Sequence, residues 1–155
     1  MRVSKCCGLV VALCTLYSMS AEAREKNIKR SDLPAAVEKT VAAQSEGATI
    51  RGFSQEKEHG QVYYEAELLV RGHSKDVLMN ADGEIVEVEE QVAIDSLSPA
   101  VRQGLQNKAG KGKLTKVESL TKRDKLVAYE AQVLTDGKKS EVQIGPDGKP
   151  LDHEE

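Results

Sequence analysis

Two hydrophobic periods alternate along this chain. Leu33, Val37 and Val41 recur every fourth residue, which places them on one face of a helix, and Leu97, Val101 and Leu105 repeat the spacing further on. Pro34 and Pro99 fall in the expected first turns, where the missing N–H costs nothing. Asp32 and either Ser96 or Ser98 are the expected caps, and Gly47 and Gly110 the expected closers. After each helix the period drops to two. Val62, Tyr64, Ala66 and Leu68 alternate with Tyr63, Glu65 and Glu67, and Val127, Tyr129, Ala131 and Val133 alternate with Ala128, Glu130 and Gln132. Such alternation predicts strands with one buried and one polar face, the rings of Tyr64 and Tyr129 lying buried against the helices. Val77 and Met79, matched by Val142 and Ile144, continue it into the next strand. Asp82-Gly83 and Asp147-Gly148 predict hairpins, since both residue types tolerate positive φ. Fainter patterns over Thr49–Ser54 and Leu114–Leu120 supply a first strand to each set.

The two sets are copies. Residues 62–90 align with 127–155 without a gap: Tyr64-Glu65-Ala66 with Tyr129-Glu130-Ala131, Gly72 with Gly137, Val77 with Val142, and Asp82-Gly83 with Asp147-Gly148. The fold class expected is therefore α+β, built from two tandem repeats of one helix and a four-stranded antiparallel sheet. The repeats span residues 31–90 and 96–155, with a linker at 91–95 and a loose polar tail at 24–30. A unit of about 60 residues is marginal alone. The short linker thus favours one continuous eight-stranded sheet with both helices on one face.

The N-terminus changes the picture of where this fold works. Arg2 and Lys5 precede an uncharged apolar run, Gly8 to Leu16, too short for the roughly 20 residues of a membrane span. Ala21-Glu22-Ala23 follows, the small-x-small pattern of a signal-peptidase site. Residues 1–23 read as a signal peptide and Arg24 as the mature start. Leu13 before Cys14, and Lys5 and Cys6 before Cys6 and Cys7, do not fit a lipoprotein signal, which wants a small residue there. All three cysteines lie in this leader, so the mature chain has no disulfide, thiol nucleophile or cysteine zinc site. The expected product is periplasmic or secreted, without stable membrane insertion. Its net charge is slightly negative and its charges are interspersed, with no basic, aromatic-laced face for nucleic acid.

The order of motifs resembles the PepSY-like family, whose fold is related to that of beta-lactamase-inhibitory proteins. The first copy carries it in Leu33-Pro34 through Val37, Gly60 through Tyr64-Glu65 and Leu68, Asp76-Val77 and Asp82-Gly83. The second carries it in Leu97, Tyr129-Glu130, Val133, Glu141-Val142 and Asp147-Gly148. It departs in Ser98-Pro99, which shifts the proline, and in Lys125-Leu126, which replaces the glycine. The resemblance implies an exported domain that contacts other proteins. No inhibitory residue carries over, because the shared motifs are structural.

Chemistry is sparse. His59, His73 and His153 fall in a turn, a loop and the C-terminal segment, and His153-Glu154-Glu155 reads as a solvated tail. Ala109-Gly110-Lys111-Gly112-Lys113 lacks the spacing of a phosphate loop and precedes no helix. No G-x-S-x-G elbow occurs. No catalytic, cofactor-binding or metal residue is assigned, and an enzyme is not expected. Carboxylates pair along the strands, Glu65 with Glu67 and Glu87 with Glu89 and Glu90. Residues i and i+2 share a face, so Glu65, Glu67, Glu130 and Gln132, with Leu78 as an apolar neighbour, form the candidate protein-binding face. The expected function is a non-enzymatic protein-binding module, of peptidase- or hydrolase-inhibitor type, with a partner in the cell envelope or exterior. A small-ligand or metal-binding carrier in the periplasm is the alternative.

Overall fold

The computed structural model describes residues 26–58, 60–153 and 155; the signal-peptide reading falls outside them. The described strands form one antiparallel sheet of eight in sequence order. They are β1 (Lys26–Asn27), β2 (Thr49–Glu58), β3 (Gln61–Val70), β4 (His73–Asn80), β5 (Ile85–Gln91), β6 (Lys113–Lys122), β7 (Lys125–Thr135) and β8 (Lys138–Ile144). Helix α1 (Ala35–Gln44) precedes β2 and helix α2 (Pro99–Ala109) precedes β6. The class is α+β, and the seam between the halves is the β5–β6 pair, from Glu87 opposite Lys122 to Gln91 opposite Glu118.

Cross-strand register decides which residues share a side. Ala66 faces Val77, Val77 faces Val88 and Val88 faces Thr121, while Val117 faces Ala131 and Ala131 faces Val142. All of these lie on one side, and both helices pack there. Val37 and Val41 of α1 join Phe53, Ala66, Leu68, Val77 and Met79 in one core. Val101 and Leu105 of α2 join Leu97, Val117, Ala131 and Ile144 in the other. Each fully buried Val or Leu contributes about 1.5–3 kcal/mol, so this stripe is where each helix is anchored to the sheet. Tyr64 and Tyr129 pack against these cores but are only half-buried, rather than enclosed as expected.

The eight strands are not the expected four plus four. The predicted loose tail instead supplies β1, with Lys26 opposite Gln55 and Asn27 opposite Ser54. The second half has three strands, because Pro150 stands where Ile85 begins β5. Proline has no N–H to give to a ladder, and residues 149–153 continue without strand structure. Lys108 Nζ donates instead to the Gln143 carbonyl, 3.0 Å away, on the last strand.

The helix starts also differ in detail. Ser98 caps α2, its hydroxyl accepting from Val101 N at 3.2 Å, with Pro99 at the first helical position. Pro34, not Asp32, is the residue at the α1 boundary, and Asp32 accepts from Lys29 N. The Asp-Gly turns use positive φ only at glycine, +78° at Gly83 and +81° at Gly148. Among the described residues, the turns with two positive φ values are Arg71-Gly72, Asp136-Gly137 and Arg123-Asp124. A second constraint acts at Gly83 and Gly148: a Cβ there would sit 2.5 Å from the Ala36 carbonyl and 2.4 Å from the Ala100 carbonyl. Each Asp-Gly turn is therefore wedged under the first turn of its helix.

Candidate functional site on the open sheet face

The side away from the helices carries no helix of the described chain. Register places on it Glu65 opposite Leu78, Leu78 opposite Glu87 and Glu87 opposite Lys122. The next row runs Glu67, Asp76, Glu89, Leu120 and Ala128, and the one after it Gln91, Glu118, Glu130 and Gln143. All five residues expected on this face, Glu65, Glu67, Leu78, Glu130 and Gln132, lie on it. They are spread across three rows or more. Glu65 accepts from Ser54 Oγ at 3.2 Å, and Glu130 accepts from Gln143 Nε2 at 2.7 Å. Glu67 leans across Gly52, where a Cβ would meet its Oε1 at 3.2 Å.

The centre of the face is a set of carboxylates beyond those five. Asp76, Glu89 and Glu118 bring one oxygen each within 4.8 Å of one another. Their floor is apolar: Leu120 and Ala128, on the same side, are 2% and 0% exposed. Burial pushes the Glu89 carboxyl up to about 7, helped by the negative charges of Glu130, Glu118, Glu87 and Asp76. Burial likewise raises Asp76, with Lys116 opposing. Glu118 is buried with partners on two sides, Lys116 Nζ at 2.5 Å and Ser74 Oγ at 3.1 Å. Three hard oxygen donors at this spacing suit Ca²⁺ or Mg²⁺ rather than a softer metal. Asp76 and Glu118 were legible by the same parity as Glu65, since each precedes or follows a buried valine, Val77 or Val117.

Two adjoining hollows mark the surface. One, of about 180 Å³, is lined by Glu56, Glu65, Asp76, Glu87 and Glu89 with Leu78. The other, of about 370 Å³, shares Leu78 and Glu87, adds Tyr63, Val86 and Val127 as apolar lining, and is also lined by Glu58, Lys122, Arg123 and Glu155. Lys122 stands at its rim, 3.6 Å from Glu87 and 3.7 Å from Glu155. The C-terminal segment reaches this face: Glu155 N donates to Gln143 Oε1 at 2.9 Å. His73 opens β4 as an exposed residue, and His153 is exposed near the C-terminus. His59 and Glu154 lie outside the described residues.

No family model matches the sequence, and no curated protein matches it. Solved structures do match, as a class of small bacterial proteins with this sheet. A DUF2874 family protein from Bacteroides ovatus ATCC 8483 is 21% identical with a TM-score of 0.60, over 77% of this chain and 84% of that one. A BLIP-like protein from Bacteroides fragilis NCTC 9343 is 22% identical with a TM-score of 0.57, over 77% and 83%. A protein from Bacteroides eggerthii DSM 20697, whose name places it provisionally in the periplasm, is 18% identical with a TM-score of 0.63, over 77% and 86%. At these identities the likeness is one of fold: the chain shares the BLIP-like architecture. Among the described residues no helix is long and apolar enough to cross a membrane.

Proposed function

We propose that this chain is an exported, non-catalytic protein-binding module made of two tandem PepSY-like repeats, which engages a basic partner through its open sheet face. The observation that carries the reading is the face itself, a broad surface dominated by carboxylates on the side away from both described helices. Export is supported by the leader and by the provisional periplasmic placement of one fold neighbour. Tandem repetition is supported by Gly83 under Ala36 and Gly148 under Ala100, two equivalent wedges at equivalent places. A binding role is favoured over catalysis because the hollow beside Glu89 is small and its described lining is carboxylate plus Leu78. That lining offers nothing to hold a developing negative charge.

The test is capture of envelope proteins by the mature chain, followed by Glu65→Lys with Glu67→Lys. Rim charges act mainly through association rate and its salt dependence. Loss of the captured protein at low salt, with folding intact, is the expected result. Asp95→Lys, at a fully exposed side chain on the connection before α2, is the control. Equal capture by wild type and the double variant would sink the reading. Intact mass of the exported protein should begin at Arg24.

A second reading, a cation carrier, is favoured by the three converging oxygens of Asp76, Glu89 and Glu118. Calorimetric titration with Ca²⁺ and Mg²⁺ separates the two. Saturable heat that Glu118→Gln abolishes belongs to the carrier; none belongs to the platform.

A further inference from the structure

The two hollows suggest what such a partner must present. Tyr63 and Glu65 lie on β3, Leu78 and Asp76 on β4, and Glu87 and Glu89 on β5. Tyr63 lines only the larger hollow, Leu78 and Glu87 line both, and Glu65, Asp76 and Glu89 line only the acidic one. The hollows are therefore displaced by one same-face step along the strands, about 7 Å. An extended chain laid along these strands would place side chains i and i+2 over the two hollows in turn.

We infer that the face recognises an extended segment of a partner protein carrying a large apolar side chain and, two residues on, an arginine. This rests on the protein-binding reading above. The apolar side chain enters the hollow of about 370 Å³ against Tyr63, Leu78, Val86 and Val127, whose remaining lining is the charged set Glu58, Glu87, Lys122, Arg123 and Glu155. The arginine reaches the neighbouring hollow, where Glu56, Glu65, Asp76, Glu87 and Glu89 gather negative charge. Its planar fork of donors suits paired carboxylates better than the point charge of a lysine. Charge complementarity selects this occupant over a second copy of the chain. The shared walls, Leu78 and Glu87, are what couple the two contacts.

The probe is a capped peptide, Gly-Phe-Ser-Arg-Gly, titrated into the mature protein and followed by amide and methyl NMR shifts. Saturable shifts at Leu78, Val86 and Val127 are expected. Peptides with alanine for phenylalanine, or glutamate for arginine, should bind at least about tenfold more weakly, the usual scale of one lost anchor contact. Leu78→Ser should remove the phenylalanine preference and Glu65→Gln weaken the arginine preference, while Leu134→Ser, at an exposed leucine elsewhere, changes neither. Shifts mapping elsewhere, no binding, or equal affinity of the three peptides would overturn the inference. So would indole alone binding as well as the peptide, which would make the hollow a small-molecule site. A captured partner lost on reversing Glu65 and Glu67 but indifferent to Leu78→Ser would leave the platform standing and remove this inference alone.

Discussion

Glu89→Gln isolates the electrostatic cost of the open face. The carboxyl moves from an ordinary 4.5 to about 7, first through burial and then through its acidic neighbours. Each pH unit of displacement is worth about 1.36 kcal/mol, so the whole displacement would correspond to about 3 kcal/mol. Glu89 is only half-buried, and solvent screening cuts this to about 1–2 kcal/mol. The sign follows from linkage. In the unfolded chain Glu89 ionises near 4.5, whereas in the fold it holds its proton to about 7. The fold therefore loses stability as pH rises between those values, and the full penalty persists above 7. Glutamine keeps the shape without the charge. Urea denaturation of both proteins at pH 4, 6 and 8 should show near equality at pH 4 and a variant more stable by about 1–2 kcal/mol at pH 8. A variant no more stable at pH 8, or a difference that does not change with pH, would refute the placement of Glu89 among buried like charges.

Three further substitutions test the packing. Gly104→Ala should destabilise by about 1–3 kcal/mol in denaturant melts despite alanine's better helix propensity. Its Cβ would fall 2.2 Å from the Gly148 carbonyl and 2.9 Å from Ile144 Cδ1; a stabilised variant would deny that close approach. Tyr64→Ala should cost about 2–3 kcal/mol, below the range for a fully enclosed ring, because Tyr64 is half-buried against the α1 core. A thermal melt unchanged from wild type would place the ring in solvent. Ser98→Ala should cost about 1 kcal/mol through loss of its bond to Val101 N, whereas Asp32→Ala should leave α1 nearly unaffected; circular dichroism melts of the two compare them.

The elements most legible in the sequence were those whose period was set by a single buried face. Val37 and Val41, or Ala66 and Leu68, alternate with polar residues because one side of each element meets a core. Where two faces are constrained the pattern blurs. β6 buries Val117 toward α2 and Leu120 beneath the carboxylates, so its sequence does not alternate cleanly. β1 was illegible because two residues carry no period; it exists only through its pairing with Ser54 and Gln55. The missing last strand could have been read from Pro150, but the alignment of Asp147-Gly148 with Asp82-Gly83 outweighed it. The acidic centre escaped for a different reason. Asp76, Glu89 and Glu118 come from three strands, and their convergence depends on the β5–β6 register, which no local pattern fixes.

The last strand ends in a way that bears on behaviour at high concentration. β5 joins β6 because an unspent row of backbone groups met another strand; β8 could recruit a neighbouring molecule by the same route. The chain has lysines at 138 and 139 on this border, a lysine hydrogen-bonded to the Gln143 carbonyl, and prolines two and six residues after that strand ends. Charge on a bordering strand and proline beside it are the means by which sheets avoid fusing into fibrils. The described residues contain no cysteine that could fix their shape by a disulfide, and such protection lets the fold stay dispersed while its acidic side remains accessible.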